Sequence, residues 1–333
     1  MPRRTLLALA AGAVGTILAI SGAFAWVEPN TAEVPVLTQG IDPAAIATAD
    51  DLDAVTVALQ DHLRQRPDDS RSWAALGLAY VEQARVSGDA SYYPKAEGAL
   101  QRSLSLQPDD NVSALSGQAA LAAARHAFPA ALRAADAALA IDAYDVSALA
   151  LRVDALTELG RYEQALTALS IADRRRPSLP IFARYSYAHE LHGRDSEAAA
   201  LLRRTLAGTT AGSDRAFVLT LLADLDRKAG RLAAAERNLR DALRSDPDHL
   251  AALASSARLA VAQGDLAAAE RRWLNLVQQA PLPEYVAALG ELYQATGRPA
   301  QARAQYAVLE ATAQLAGDSG VDTDLETARW SGR

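Results

Sequence analysis

Apolar residues at helical spacing, separated by small residues, mark the start of the regular part of the chain. In the stretch WAALGLAY, residues 73–80, Trp73, Leu76 and Tyr80 lie three and four residues apart, and alanines fill most of the gaps. This spacing predicts a helix with one bulky apolar face. Gly77 stands within that helix, although glycine costs about 1 kcal/mol relative to alanine in a helix interior. We therefore expect a second helix to cross so closely at Gly77 that a side chain would push it away.

The same kind of pattern returns at regular intervals. A glycine followed by a polar or charged residue, and then by a segment rich in small residues, occurs five times, and an alanine lies five residues after each glycine. The glycines are Gly160, Gly193, Gly230, Gly264 and Gly297, so the successive intervals are 33, 37, 34 and 33 residues. Self-similarity at this period predicts an array of repeated helical units.

These positions resemble the tetratricopeptide repeat (TPR). Its 34-residue unit carries W-x2-L-G-x2-Y, followed by alanine, an aromatic residue or leucine, alanine and proline. Trp73, Leu76, Gly77 and Tyr80 match the first half in full. In the last unit, Leu289, Gly290 and Tyr293 match the end of that half. Three units match the second half, with Ala165, Leu169, Ala172, Pro177; with Ala235, Leu239, Ala242, Pro247; and with Ala269, Trp273, Leu276, Pro281.

The resemblance implies an all-α protein, an α-solenoid in which helix pairs stack as a right-handed TPR superhelix. We assign residues 70–309 to about seven repeats and residues 51–69 to a leading helix. Residues 28–50 are interpreted as a linker, because residues 28–42 contain two prolines and little periodicity. Residues 310–333 are interpreted as a tail without a clear capping helix pair.

The repeated glycines are expected to end the first helix of each unit in a left-handed conformation. His126 takes that place in the second unit, and histidine tolerates positive φ better than most residues. Two stretches are irregular. About seven extra residues within RVSGDASYYPKAE predict a longer turn packed by Tyr92 and Tyr93, with a partner-contacting loop as the alternative. The stretch AGTTAGSD, residues 207–214, predicts a loosened turn and a point of flexure.

The N-terminal segment predicts export. Residues 5–27 are uncharged and mostly apolar and follow two arginines. At about 1.5 Å per residue, such a helix crosses the ~30 Å hydrocarbon core of a bilayer. The same segment fits a secretory signal cleaved after Ala25, so residues 1–27 are either a membrane anchor or a signal peptide. Because no Lys or Arg follows until Arg64, both alternatives place the repeats outside the cytoplasm, in the cell envelope or secreted.

Composition narrows the classes of function. The chain is 50% hydrophobic and 22% charged, with a net charge of -7 and a pI near 5.3, so it lacks the basic balance typical of nucleic-acid binding. It has no cysteine, which excludes disulfides, cysteine-zinc sites and thiol catalysis. We expect no nucleic-acid partner.

No convergent catalytic or metal-binding set is evident in the sequence. In HELHG, residues 189–193, the two histidines are three apart, whereas the zinc-protease motif needs four. The acids of GVDTDLE, residues 320–326, lack the central glycine and twelve-residue frame of a calcium loop. The arginines at 174–176 are interpreted as a solvated helix end, with anionic contact as the alternative. We therefore expect no cofactor, no metal, no small-molecule substrate and no enzymatic activity.

The resemblance also implies a binding groove. TPR units expose the first helix to the concave side, and the corresponding side chains form the predicted protein-binding groove. They are Arg71, Asp154, Glu158, Tyr187, Glu190, Asp224, Arg227, Arg258, Glu291 and Gln294. The lysine and asparagine set with which some relatives grip a C-terminal carboxylate is missing, so no such clamp is expected. The acids of the middle units are either ordinary solvated charges or an acidic stretch that receives a basic segment of a partner.

The leading functional hypothesis is a non-enzymatic scaffold or adaptor on the outer side of the cytoplasmic membrane. It would bind a protein or peptide in its groove and contact the membrane through residues 5–27 if these are uncleaved. One alternative is an exported structural subunit of a self- or hetero-assembled envelope complex. Another is an exported enzyme with its site in the irregular loop or the tail.

Overall fold

The computed structural model describes residues 49–175 and 177–323. The predicted anchor or signal, most of the predicted linker and residues 324–333 lie outside these ranges. Within them the chain forms fifteen α-helices and no β-strand. The helices are α1 (Ala49–Gln65), α2 (Ser70–Ser87), α3 (Tyr92–Leu106), α4 (Val112–Ala124), α5 (Phe128–Ile141), α6 (Val146–Glu158), α7 (Tyr162–Arg175), α8 (Leu179–Leu191), α9 (Asp195–Gly208), α10 (Gly212–Lys228), α11 (Leu232–Ser245), α12 (Leu250–Gln263), α13 (Leu266–Gln279), α14 (Pro283–Ala295) and α15 (Pro299–Asp318).

Helices α2 to α15 form seven consecutive helical hairpins, and α1 precedes them. We call the even-numbered helices the first helices and their hairpin partners the second helices. A second helix packs on the first helix of the following hairpin, as α3 on α4, α5 on α6 and α11 on α12. First helices also pack on one another, as α2 with α4, α4 with α6 and α10 with α12. The prediction of an all-α, α-solenoid fold is confirmed for the described residues.

The chain divides into two compact units. Among the described residues, the larger unit comprises residues 49–184 and 313–323, and the smaller unit comprises residues 185–312. The division falls within α8, between Arg184 and Tyr185.

The core of the larger unit confirms the expectation for Gly77. Leu100 on α3 is fully buried, and a Cβ built on Gly77 would lie 2.6 Å from its Cγ. A Cβ on Gly117 of the next hairpin would lie 2.4 Å from Leu100 Cδ2. Real Cβ atoms do not approach so closely, so both glycines make room for one leucine that packs against α2 and α4. Small residues therefore set the spacing of these helices.

The smaller unit is held by leucines and alanines of α10, α11 and α12. Leu219, Ala223, Leu239 and Leu259 belong to one buried cluster. At the last hairpin, a Cβ on Gly290 would lie 2.8 Å from Tyr306 Cε1, so the glycine of the predicted TPR pattern again marks a close crossing.

The turn between the helices of a hairpin requires a left-handed residue. Gly160 has φ of 69° at the end of α6, as the sequence predicted, and His126 takes the same conformation with φ of 59°. The sequence did not reveal what His126 contacts. Its Nδ1 lies 3.0 Å from the carbonyl oxygen of Asp322, and the Asp322 amide donates to the carbonyl oxygen of Arg125 at 3.0 Å. The chain after α15 therefore contacts the turn of the second hairpin within the larger unit.

The two irregular stretches differ in outcome. The extra residues near position 90 mostly lengthen α2, which runs to Ser87, so the expected longer turn is not seen. The expected packing by Tyr92 is confirmed, because the Tyr80 and Tyr92 rings stack at 6.0 Å. The turn predicted at 207–214 is shorter than expected, because α9 continues to Gly208 and α10 begins at Gly212. Flexure at this turn stays a prediction. Helix α15 runs past position 309 to Asp318.

Candidate functional site

The side chains predicted to line the groove all lie on first helices. We call the surface that these side chains form in each compact unit the first-helix face of that unit. Arg71 lies on α2, Asp154 and Glu158 on α6, Tyr187 and Glu190 on α8, Asp224 and Arg227 on α10, Arg258 on α12, and Glu291 and Gln294 on α14.

In the larger unit, Asp154 is held by a two-point ion pair. Arg184 donates from Nε to Oδ1 at 2.7 Å and from Nη2 to Oδ2 at 2.6 Å, and the two side chains are only 8% and 12% exposed for Arg184 and Asp154. Burial raises the pKa of Asp154, and the Arg184 charge opposes that rise. Burial also raises the pKa of Glu158, with a further contribution from Asp154. Asp154 is thus a buried, paired carboxylate, while Arg71 is exposed.

In the smaller unit, Glu190 of α8 pairs with Lys228 at the end of α10. Burial raises the pKa of Glu190, and Lys228 opposes it. The ion pair links two first helices, so both charges are already compensated within the fold.

Asp224 anchors a second polar group in the smaller unit. It accepts a hydrogen bond from Ser255 Oγ at 2.8 Å and one from Arg227 Nε at 3.3 Å. The Arg227 side chain is 4% exposed. These contacts join α10 to α12, because Ser255 lies on the latter.

Arg258 lies beside this group, with its guanidinium carbon 5.6 Å from the centre of the Trp273 ring. Burial lowers the pKa of Arg258, and the Asp224 charge opposes that effect. Arg227 lowers the pKa further, as expected for two neighbouring cations. On α14, Gln294 is exposed and accepts a hydrogen bond from the Tyr306 hydroxyl at 2.8 Å, whereas Tyr187 and Glu291 are half-buried.

Sequence reasoning named the acids of this face but missed their partners. Arg184 lies 30 residues after Asp154, Ser255 lies 31 after Asp224, and Lys228 lies 38 after Glu190. Each partner is therefore about one repeat further along the chain. A search for opposite charges one repeat apart on first helices would have found the two ion pairs.

The described residues contain no group of three or more His, Asp or Glu side chains placed to hold a metal ion. In the HELHG stretch, His189 Nδ1 lies 3.5 Å from Glu197 Oε2, and His192 Nδ1 bonds the carbonyl oxygen of Ala188 at 2.8 Å. The residues of GVDTDLE from 324 onward lie outside the described ranges. Among the helices in the described part of the chain, none combines the length and the apolarity needed to cross a membrane.

No known protein-family profile matches the chain. It is 32% identical over 166 residues to cellulose synthase 1 operon protein C of Komagataeibacter xylinus. That match takes in 46% of this chain but only 12% of the relative, so the chain spans a small part of that protein.

Solved structures share the arrangement of helices at low sequence identity. A tetratricopeptide repeat protein from Parabacteroides merdae matches 72% of this chain and 97% of its own, with a TM-score of 0.53 and 16% identity. Human IFIT1, solved as a dimer with m7Gppp-AAAA, matches 83% of this chain and 67% of its own, with a TM-score of 0.60 and 15% identity. Together with the repeat pattern and the hairpins, these likenesses show that the chain has the fold of tetratricopeptide repeat proteins.

Proposed function

We propose that the protein is a non-enzymatic TPR scaffold or adaptor that binds a protein or peptide on its first-helix face. The observation that carries this proposal is the packing of first helices on one another, as in α2, α4 and α6 of the larger unit and α10 and α12 of the smaller unit. Neighbouring first helices bring polar side chains from successive repeats onto one surface. In repeat proteins such a surface is the usual site of partner binding.

The ten side chains of the predicted groove are the proposed contact residues. Arg71 and Gln294 are exposed and accessible to a partner. Asp154 and Glu190 are already paired with Arg184 and Lys228, so they serve mainly to fix the geometry of the first helices. The expectation that the acids receive a basic segment therefore applies less to these two side chains than to Glu158.

We further propose that the protein acts in the cell envelope, with its repeats outside the cytoplasm. The apolar segment at residues 5–27, preceded by arginines, supports this location. The resemblance to a protein named for a cellulose synthase operon is compatible with an adaptor in an envelope assembly. A reporter enzyme that is active only outside the cytoplasm, fused after Gly297, is expected to be active. Activity of a cytoplasmic reporter alone at that position would contradict the location.

The binding proposal is tested by capturing partners from the envelope fraction with the full-length protein. One variant carries Arg71→Glu and Gln294→Lys on first helices. The matched control carries Arg240→Glu and Gln301→Lys, which change the same residue types at exposed positions on second helices. We expect the first variant to lose a captured protein that wild type and control retain. If both variants retain it at wild-type levels, the first-helix face is not the binding surface.

A further inference from the structure

Arg258 differs from three other charged residues of the first-helix face that have buried or half-buried side chains. The Asp154, Glu190 and Asp224 carboxylates each accept hydrogen bonds from a neighbouring side chain. Within the described ranges, Arg258 forms no hydrogen bond; the ring of Trp273 is its one aromatic contact. A guanidinium has five N–H donors, which are costly to leave unused when the group is removed from water.

The surroundings of Arg258 do not supply those acceptors. The Asp224 carboxylate accepts instead from Ser255 Oγ and Arg227 Nε. Arg227 adds a second positive charge beside Arg258, and its effect lowers the pKa of Arg258. Glu284 at the start of α14 also faces Arg258, and its charge acts in the opposite direction but less strongly than that of Asp224. The charged groups around Arg258 are thus one further arginine, Arg227, and two carboxylates, Asp224 and Glu284.

From this arrangement we propose that Arg258, supported by Arg227 and Ser255, is a binding site for an acidic side chain of a protein partner. Arg258 is half-buried, so part of its side chain is accessible to solvent. Its planar donors match a carboxylate with two parallel hydrogen bonds. The guanidinium carbon lies 5.6 Å from the centre of the Trp273 ring, a contact that favours one orientation of the group. This inference rests on the proposed function and specifies the chemistry of the partner.

The proposed ligand is opposite in charge to the basic segment that the sequence suggested as one of two alternatives for the neighbouring acids. The sequence places Asp224 in an acidic stretch that would receive a basic segment. The structure shows the Asp224 oxygens engaged by Arg227 and Ser255, and the cation beside them without a hydrogen-bonding partner in the described residues. A carboxylate can accept two of the donors that Arg258 leaves unused in the described residues, whereas a lysine or arginine of a partner has no acceptor to offer them.

The test uses the full-length protein and fluorescein-labelled decapeptides of glutamate, glutamine and lysine, each with an amidated C-terminus. Binding is measured by fluorescence anisotropy. Emission from Trp273 is followed in parallel with unlabelled peptides, using a variant in which Trp26, Trp73 and Trp330 are replaced by phenylalanine. We expect the glutamate peptide to bind more tightly than the others and to change the Trp273 emission. A glutamine peptide with a free C-terminus tests for a terminal carboxylate, and equal binding of that peptide would overturn the assignment to an acidic side chain.

Variants locate the site. Arg258→Met keeps the length of the side chain without its charge and should weaken glutamate-peptide binding at least about tenfold. Arg258→Lys keeps the charge without the planar donors and should lie between methionine and wild type. The control is Arg240→Met, an exposed arginine on the second helix α11, which should change binding less than about twofold.

Three results would overturn the inference. They are unchanged affinity in Arg258→Met, equal binding of the glutamine or lysine peptide, and no binding of the glutamate peptide up to about 1 mM, where a ligand of even weak affinity is half bound. If Arg258→Met unfolds, the wild-type peptide series and the Trp273 response still decide the question. None of these results removes the proposed function, since capture of a protein that depends on Arg71 and Gln294 is measured separately.

Discussion

Replacing Gly117 by alanine tests whether small residues set the spacing of the helices. The new Cβ would lie 2.4 Å from Leu100 Cδ2, where no carbon–carbon contact is tolerated. Leu100 is fully buried between α2 and α4, so it cannot move into solvent. Overpacking of this kind lowers the stability by about 1–3 kcal/mol, and the helix preference for alanine over glycine offsets about 1 kcal/mol of that loss. We therefore expect Gly117→Ala to lower the free energy of unfolding by up to about 2 kcal/mol.

The same substitution should change sign when Leu100 is shortened. Leu100→Ala alone should cost about 2–5 kcal/mol, because it removes a fully buried side chain. In that background the contact at Gly117 disappears, and Gly117→Ala should stabilise by about 1 kcal/mol through helix preference. The difference between the two backgrounds is the coupling energy of the pair. Urea denaturation at 25 °C, followed by far-UV circular dichroism, measures each term.

Gly98→Ala is the matched control, because Gly98 is an exposed glycine of α3 with no heavy atom within 4 Å of a built Cβ. It should stabilise by about 0.5–1 kcal/mol in either background. The reasoning is refuted if Gly117→Ala stabilises the wild-type protein as much as Gly98→Ala does, or if its effect is the same with and without Leu100.

Two further substitutions test local features. His126→Gly removes a left-handed histidine and relieves a strain of about 1 kcal/mol, so the melting temperature should stay the same or rise. Hydrogen exchange at the Asp322 amide should become faster, because the contact between His126 and the Asp322 carbonyl oxygen is lost. A lower melting temperature with unchanged exchange would contradict this. Burial raises the pKa of Asp214 from 3.8 to about 6, so the folded state binds the proton more tightly and this group adds stability as pH falls from about 6 to about 4. Asp214→Asn should raise the melting temperature at pH 7.5 and flatten its rise toward pH 4.5, and an unchanged pH profile in that variant would show that Asp214 is not the cause.

The sequence predicted the repeated architecture because its signals are local. Gly160 ends a helix through its own φ angle, and the pattern around Trp73 requires a glycine at a close helix crossing. These features recur at a fixed period, so each unit supports the interpretation of the next. Only the length of the turn at 207–214 was overestimated, because the glycines at its two sides still end α9 and begin α10.

The sequence predicted on which helices the residues of the candidate site lie, but not which side chains they contact. The sequence placed Asp154 and Asp224 on first helices, but it did not show that Arg184 and Ser255 engage them from the next repeat. Charge at a residue is local information, whereas compensation of that charge depends on side chains about one repeat away. The contact between His126 and Asp322 spans 196 residues, and no periodic pattern indicates it.

Site-specific photo-crosslinking tests the central claim most directly. A photoreactive amino acid is placed in the full-length chain at the exposed first-helix positions Arg71 and Gln294, and in separate variants at the exposed second-helix positions Arg240 and Gln301. After illumination of intact cells that produce the protein, crosslinked species are identified by mass spectrometry. The account predicts that the first-helix positions capture a common protein partner and that the second-helix positions do not. Capture of that partner from Arg240 and Gln301 alone would contradict it.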